Sequence, residues 1–589
     1  MIVSAGETLE VTRTTRLSSL AVHEGAVLVA PEGQELTLTV DGVETGSVLD
    51  GTYGMATVIA AGTYSGDVVL TPTAAHIKPF YGAEFHLRQA VLVGKDGVVK
   101  GSSVLSAVRG GRLTDAGAKG VSLMSTGEAF NGVYVTDGAS YTLTGTRIRW
   151  DGNGRNDFST YGTAVTSMGA GTRVVLDGAD IRTRGMVRTA VTATSGGHLV
   201  VKNSQIHARD GIPRDDYAFQ LGHQMMSVPW MLGLEGNNRA TMVYGSGNTA
   251  AYVNSELSAE KWGVLSTDLV SDSTLAVINC TATVTGSSGY GTFSDGATMH
   301  NLLLGTDFTV PSFVGITGGG HLTFDDSSRE TVAALNDELD LRLTARELAA
   351  LEPRSSVIES AAFGVMLQMW DGGSVHVGGG TRFSTGKTLF LVKGKQANIT
   401  VDGSQGARVS AGNGVLVQVM ETDDPGRADG VYTEPTEAPV RDTSFDTTAE
   451  HASDVTVSFT DIEVSGDFYN AMRDGKNLVI TLDGTLLTGV VSAAVSRHAV
   501  SSISAANWDQ LNHVTNTAQT AVNNGVLLEL GAGSLWTVSG TSYLTKLVID
   551  ERARVRAAHG KSLTLTVDGT VTALKAGVTY TGAVALTVA

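Results

Sequence analysis

The sequence predicts an all-β repeat protein. The same text stands at both ends of the chain, a strand-and-turn phrase recurs between them, and the phrase returns at a nearly fixed interval. The duplication is literal: Leu36-Thr37-Leu38-Thr39-Val40-Asp41-Gly42 reappears as Leu563-Thr564-Leu565-Thr566-Val567-Asp568-Gly569. Leu17, Leu20 and Val22 match Leu544, Leu547 and Ile549 at one offset, and Gly62-Thr63-Tyr64-Ser65-Gly66 echoes Val578-Thr579-Tyr580-Thr581-Gly582.

The internal phrase alternates apolar residues, turns on a pair drawn from Gly, Asn, Asp or Ser, and resumes with an apolar residue. Val174-Val175-Leu176-Asp177-Gly178-Ala179-Asp180-Ile181, Leu199-Val200-Val201-Lys202-Asn203-Ser204-Gln205-Ile206 and Leu275-Ala276-Val277-Ile278-Asn279-Cys280 are examples. Alternation puts one face inward and one outward. The turn pair supplies residues that tolerate a left-handed backbone. Val174 to Leu199 spans about 25 residues, and Val375 to Ile399 and Val455 to Val479 about 24 each. That interval suits one lap of a parallel β-helix, with three short strands and three turns per lap. A β-sandwich of hairpins would repeat at shorter spacing and favour two-residue turns.

Three stretches depart from the ladder. Ser327-Ser328-Arg329-Glu330 and Thr344-Ala345-Arg346-Glu347 have capping-box spacing. Each leads into an apolar stripe, Val332, Leu335 and Leu339, then Leu348 and Leu351 before Pro353, so a helical hairpin packed outside the coil is expected near 327–353. A weaker helix is expected from Ser504 through Trp508 and Leu511 to Val514, and the acidic stretch Glu421 to Glu437 reads as a surface loop. The expected organisation is an N-terminal β-rich module over 1–75, the coil over 85–535, and a C-terminal module over 536–589 that repeats the first. An open coil exposes backbone donors and acceptors at its ends, so the twins are expected to cap it, to pair with each other, or to join copies into a homo-oligomer.

With 41 Lys and Arg against 59 Asp and Glu, the net charge is −18, which argues against nucleic acid or anionic lipid as partners. No apolar run approaches the roughly 18 residues of a membrane span. The single cysteine, Cys280, reads as a buried small hydrophobe. The opening Met1-Ile2-Val3-Ser4-Ala5-Gly6 lacks a basic n-region and an apolar h-region. A cytoplasmic protein is therefore expected, or a secreted one whose leader has been removed.

In rung texture across residues 85–550 the chain resembles the right-handed parallel β-helix class, which includes pectin-lyase-like enzymes, phage tailspikes and surface adhesins. The resemblance implies a solenoid and a groove along its side. It does not extend to the Gly-His-Gly and Arg-Ile-Lys of pectinases, for which this chain offers only Gly320-His321 and Arg147-Ile148-Arg149. A G-x-S-x-G elbow, a Walker loop and a His-Glu-x-x-His zinc motif are absent.

Equal register in a coil means stacking on one side, with laps about 4.8 Å apart. Three consecutive phrases run into polar text at the same register. The first holds Trp150, Arg155 and Asp157, the second Arg182, Arg184 and Arg188, and the third His207, Arg209, Asp210, Arg214, Asp215, Asp216 and His223. Lys261, Trp262 and Asp268, then Tyr290, Asp295 and His300, would extend the groove, and Met225, Met226, Trp230 and Met231 would form a lid or sugar platform.

Two chemistries suit such a groove. Paired carboxylates from Asp157, Asp210, Asp215 and Asp216 would hydrolyse a glycosidic bond. Alternatively, Arg184, Arg188, Arg209 and Lys261 would neutralise a uronate carboxylate while a base, whether Arg, Lys, His or Tyr, removes the neighbouring proton; His207 and His223 are among the catalytic candidates. Trp150, Arg155, Trp230, Lys261, Trp262 and Tyr290 are the expected substrate contacts. No resident cofactor is expected; calcium on Glu421, Asp423 and Asp424 is the one left open. The expected function is an enzyme, lyase or glycoside hydrolase, acting on a carbohydrate or related polyhydroxylated compound. The alternatives are a structural or adhesive coil, and a small-molecule isomerase or lyase working beneath the Met- and Trp-rich segment.

Overall fold

Val, Ile and Leu alternate with Thr, Asp and Ser through the ladder phrases, and the backbone follows that alternation. The structure, a computed structural model, describes residues 1–217, 238–296, 298–369, 372–425 and 430–589. Strand makes up 52% of it and helix 4%, as an all-β solenoid-like chain requires. Three long sheets of 16, 16 and 18 strands run through the body. Each takes every third strand of the chain in turn, and in the body successive strands are parallel. One sheet holds Arg147–Asp151, Asp180–Arg184, Gln205–Arg209, Glu256–Ala259 and Thr281–Val284 in order. A second holds Val165–Met168, Val191–Thr194, Thr241–Tyr244 and Leu265–Asp268. The third holds Arg173–Asp177, His198–Lys202, Thr249–Val253 and Ser273–Ile278.

The register reproduces the interval read from sequence. Val174 lies opposite Leu199 and Val375 opposite Ile399, whereas Val455 meets Leu478 rather than Val479. One column of facing residues shows how the core is made: Leu143, Leu176, Val201, Tyr252, Val277, Leu303, Phe324, Val377 and Val401 stack lap on lap, all buried in one cluster. Cys280 lies in the same cluster, wholly buried. Between the third sheet and the first, each lap turns on one left-handed residue, namely Gly145, Gly178, Asn203, Asn254, Asn279 and Gly305, with φ between 47° and 65°. The N–H of each donates to a carbonyl of the next lap, as Asn203 does to Val253 at 3.0 Å and Asn254 to Ile278 at 3.0 Å. Gly and Asn recur there because other side chains resist that backbone.

The helical hairpin lies where expected, as Arg329–Glu338 and Ala345–Ala350. Val332, Leu335, Leu341 and Leu351 cover Ala251, Ala276 and Ile278 on the outer face of the third sheet. The second capping box forms on Thr344 and Glu347, but the first helix is capped by Ser328 on the N–H of Thr331, one residue later than expected. Ser327 is unavailable because its hydroxyl is bonded to Asn279 and Arg354. Instead of a helix over 504–514 there is a short turn at Trp508–Gln510, and Val514–Ala518 joins a strand pair. The acidic stretch folds back onto the body, with Asp423 fully buried.

The twin ends adopt one structure. Thr15–Val22 pairs antiparallel with Gly62–Ala74 through a bulge between Leu17 and Ser19; Ser542–Ile549 pairs with Val578–Val588 through a bulge between Leu544 and Lys546. Both tight turns are Asp-Gly with positive φ, 49° and 74° at Asp41-Gly42, 48° and 78° at Asp568-Gly569. The aspartate carboxylate accepts the N–H of Asp67 in one and of Ala583 in the other, at 2.9 and 2.8 Å. Duplicated text thus yields duplicated register. The twins lie at opposite ends of the sheets and do not pair with each other. Among the described residues no helix is long and apolar enough to cross a membrane.

Candidate functional site

Along the first sheet, alternate residues point outward and stack by register. Arg149, Arg182, His207 and Ser258 make one column; Asp151, Arg184 and Arg209 make the next. The residues between them, Ile148, Trp150, Ile181, Thr183, Ile206 and Ala208, are buried. The two columns line an open groove of about 630 Å³ that continues to Glu256, Thr283 and Thr285.

The arginines of the groove fall into two groups. Arg149 and Arg182 both bind Asp180, Arg182 through Nε at 3.2 Å. Although partial burial works against the charged form, these two cations hold the Asp180 carboxyl below its ordinary value. Arg184 and Arg209 are exposed, stacked in register, and have no ion pair or side-chain hydrogen bond among the described residues. His207 lies beside them with Nδ1 on the hydroxyl of Ser258 at 2.8 Å. Burial pushes its pKa down, so the ring is neutral at physiological pH.

Of the residues expected to share one groove, the structure brings together Arg182, Arg184, His207 and Arg209. Trp150 belongs to the core at 1% exposure, because strand alternation turns it inward between Arg149 and Asp151. Its indole donates to the Phe130 carbonyl at 2.6 Å, and it is no sugar platform.

Arg188 and Arg155 are interior. Arg188 donates to the Ser125 hydroxyl at 2.9 Å and the Gly127 carbonyl at 3.0 Å, and burial lowers its pKa to about 10. Arg155 donates to the Tyr53 carbonyl at 3.2 Å and lies over the rings of Tyr53 and Phe85. Asp157, Asp268, Trp262 and Tyr290 gather around a third buried arginine. Arg239 Nε is 2.8 Å from Asp157, its Nη1 binds Asp268, and its guanidinium lies 3.7 Å from the Trp262 ring centre. Tyr290 is buried beside Ser266. These residues lie at or beyond the corner after the first sheet, with Trp262 and Tyr290 in a buried cluster beside Phe313 and Phe363 that is separate from the main core, and not in the groove.

Asp210 is mostly buried just beyond the groove. It accepts the Asn238 N–H at 2.9 Å, its own N–H donates to Glu260 at 3.0 Å, and burial pushes its pKa up to about 7. Lys261 is half-buried nearby. Asp215 and Asp216 are exposed, with Asp216 bonded to Thr52 of the N-terminal module, away from Arg188. Asp295 is on the second sheet and His300 on the third, stacked on His321 with ring centres 5.0 Å apart, so neither extends the groove. His223, Met225, Met226, Trp230 and Met231 lie outside the described residues.

Sequence reading missed Glu256, Ser258 and Thr283 as groove residues; following the register one lap past His207 reaches Glu256 and Ser258, and a second lap reaches Thr283.

The described carboxylates Glu421, Asp423 and Asp424 of the acidic stretch are engaged by protein groups. Asp423 and Asp424 hold the Lys393 ammonium at 2.6 and 2.8 Å, and Glu421 accepts the N–H groups of Arg473 and Asp474. Among the described residues no cluster of three or more His, Cys, Asp or Glu is placed to hold a metal ion. No protein-family model matches the chain, and no curated protein matches it either.

Proposed function

We propose that the chain is a right-handed parallel β-helix whose first-sheet groove binds an acidic polysaccharide and cleaves it by elimination. The right hand is the one parallel crossovers adopt in nearly all sheets. The observation that carries the functional reading is the stack of Arg184 and Arg209, without an ion pair among the described residues, in a chain of net charge −18. Exposed cations held in register without carboxylate partners suit the carboxylates of a uronic-acid chain. With the uronate carboxylate on the two arginines, its α-proton becomes acidic. The neutral His207, two residues from Arg209 on the same outward face, is the base that removes it. The carbon–oxygen bond on the adjacent carbon then breaks, its electron pair leaving with the glycosidic oxygen, which takes up a proton from water, and a carbon–carbon double bond remains. Hydrolysis has less support, because Asp157 is tied to Arg239 and Asp210, Asp215 and Asp216 lie outside the groove.

Polygalacturonate, alginate and hyaluronate are the substrates to offer, with the ultraviolet absorbance of the new double bond as readout. Arg184→Ala with Arg209→Ala, and His207→Gln, should each lower the rate by about 10²–10³-fold. Because all three side chains are on the surface, thermal midpoints should stay near wild type. Absence of the double bond with every uronide would reject catalysis.

A structural or adhesive coil is the second reading, and one observation favours it. Each twin leaves bare an edge that the other has covered. Glu44, paired with Ser125 in the N-terminal twin, is fully buried, while its counterpart Val571 is 73% exposed on the edge strand Thr570–Thr572. A free strand edge with an apolar residue invites pairing with another copy. If copies join there, Val571→Lys should shift sedimentation toward monomer; an unchanged distribution removes this reading.

A further inference from the structure

A second pocket lies on another side of the body, away from the arginine columns. It holds about 250 Å³ between the aromatic edge of the second sheet and the segment 508–513. Phe313 and Phe363 form one wall, stacked with ring centres 5.4 Å apart. His513 meets the edge of Phe363 at 5.3 Å, and Trp508, half-exposed on its short turn, closes the other side.

Asn512 makes this more than an apolar dent. It has a left-handed backbone, φ 69°, and only 6% of it is exposed. Its N–H donates to Asp423 at 2.5 Å, which ties the segment to the buried Lys393–Asp423 pair. Its side-chain oxygen is buried and has no hydrogen-bond partner among the described residues. A buried acceptor left unpaired is costly, so this oxygen favours a ligand that donates.

We propose that this pocket binds a neutral pyranose. Aromatic faces take the C–H side of a sugar ring, and Asn512 takes a hydroxyl proton. The volume falls below the roughly 300–1,000 Å³ of sites for drug-sized ligands, which limits the occupant to about one ring. Among the described residues no lysine or arginine lines the pocket, and Asp509 stands at its rim. Burial keeps His513 neutral by pushing its pKa down. Lys387 stands outside the lining but within electrostatic reach of His513, so a uronate would find no cation inside the pocket itself, and the pocket favours the opposite class of sugar from the groove. Neither site depends on the other: the pocket stands on its own geometry even if the elimination chemistry fails.

The probes are methyl glucopyranoside, galactopyranoside and mannopyranoside, with methyl galacturonate as the charged control, titrated into the full chain and followed by saturation-transfer NMR. At least one neutral glycoside should bind saturably and the galacturonate should not. Trp508→Ala should abolish the signal. Asn512→Gly, which keeps the left-handed backbone and removes only the amide, should weaken binding about tenfold. The Arg184→Ala, Arg209→Ala double variant should bind the glycosides as wild type does, separating this site from the groove. Failure of all three glycosides to saturate, equal binding of the galacturonate, or wild-type affinity in Asn512→Gly would each overturn the proposal.

Discussion

At the scale of single residues, the buried charges explain why so much of the candidate site lay elsewhere. Arg, Asp and Trp in polar text read as surface chemistry, yet Arg155, Arg188 and Asp157 are interior, and the text carries no sign of it. Alternation says which side of a strand a residue takes, so Arg184, His207 and Arg209 were legible; past a corner that guide ends. Removing one member of a buried ion set leaves the others uncompensated, at a cost of about 3–5 kcal/mol. Arg239→Met should therefore lower the urea midpoint strongly by stranding Asp157 and Asp268, while Arg184→Ala should hardly move it. His498 gives a pH prediction. It bridges Asp423 at 3.0 Å and Glu434 at 2.6 Å, both ring nitrogens engaged. Burial disfavours its charge, but the two carboxylates outweigh that and raise its pKa. Its contribution to stability is thus full below about 6.5, the unfolded histidine value, and is lost as pH rises through the higher folded value. Asp423 titrates in the opposite sense. Burial is outweighed by Lys393 and His498, its pKa falls, and its contribution is present above about 3.9 and lost in stronger acid. Thermal midpoints across pH should fall on both sides, and His498→Gln should flatten the alkaline fall; an unchanged alkaline limb would refute the assignment.

At the scale of elements, what was legible was what repeats. The lap length, the turn residues and the helical hairpin all came from local patterns that tertiary contacts reinforce. The misses came where a distant contact overrode the local pattern. Ser327 is drawn to Asn279 and Arg354, shifting a helix cap by one residue, and the apolar spacing from Trp508 to Val514 forms strand and turn because Val514–Ala518 pairs with Val491–His498. The corner residues carry their own test. Asn254, exposed with φ 47°, should tolerate Gly and resist a branched residue. Asn254→Val should cost about 1–2 kcal/mol in denaturant unfolding, and Asn254→Gly only a few tenths.

At the scale of the whole molecule, the duplicated ends and the long parallel sheets between them are the part of the architecture most legible in the sequence. Identical text folded to identical register, bulge and Asp-Gly turn at both ends. The coil then gathers residues from successive laps into one trough, with Arg149, Arg182 and His207 beside Asp151, Arg184 and Arg209. An acidic chain bearing an arginine trough should bind polyuronate in a salt-dependent way, losing affinity as screening increases. The most direct measurement is a crystal structure of the full chain with a short oligogalacturonide. The oligomer should lie along the first sheet, carboxylates on Arg184 and Arg209 and a ring carbon within reach of His207. An oligomer seated on another face, or a groove left unoccupied at saturating ligand, would contradict the account.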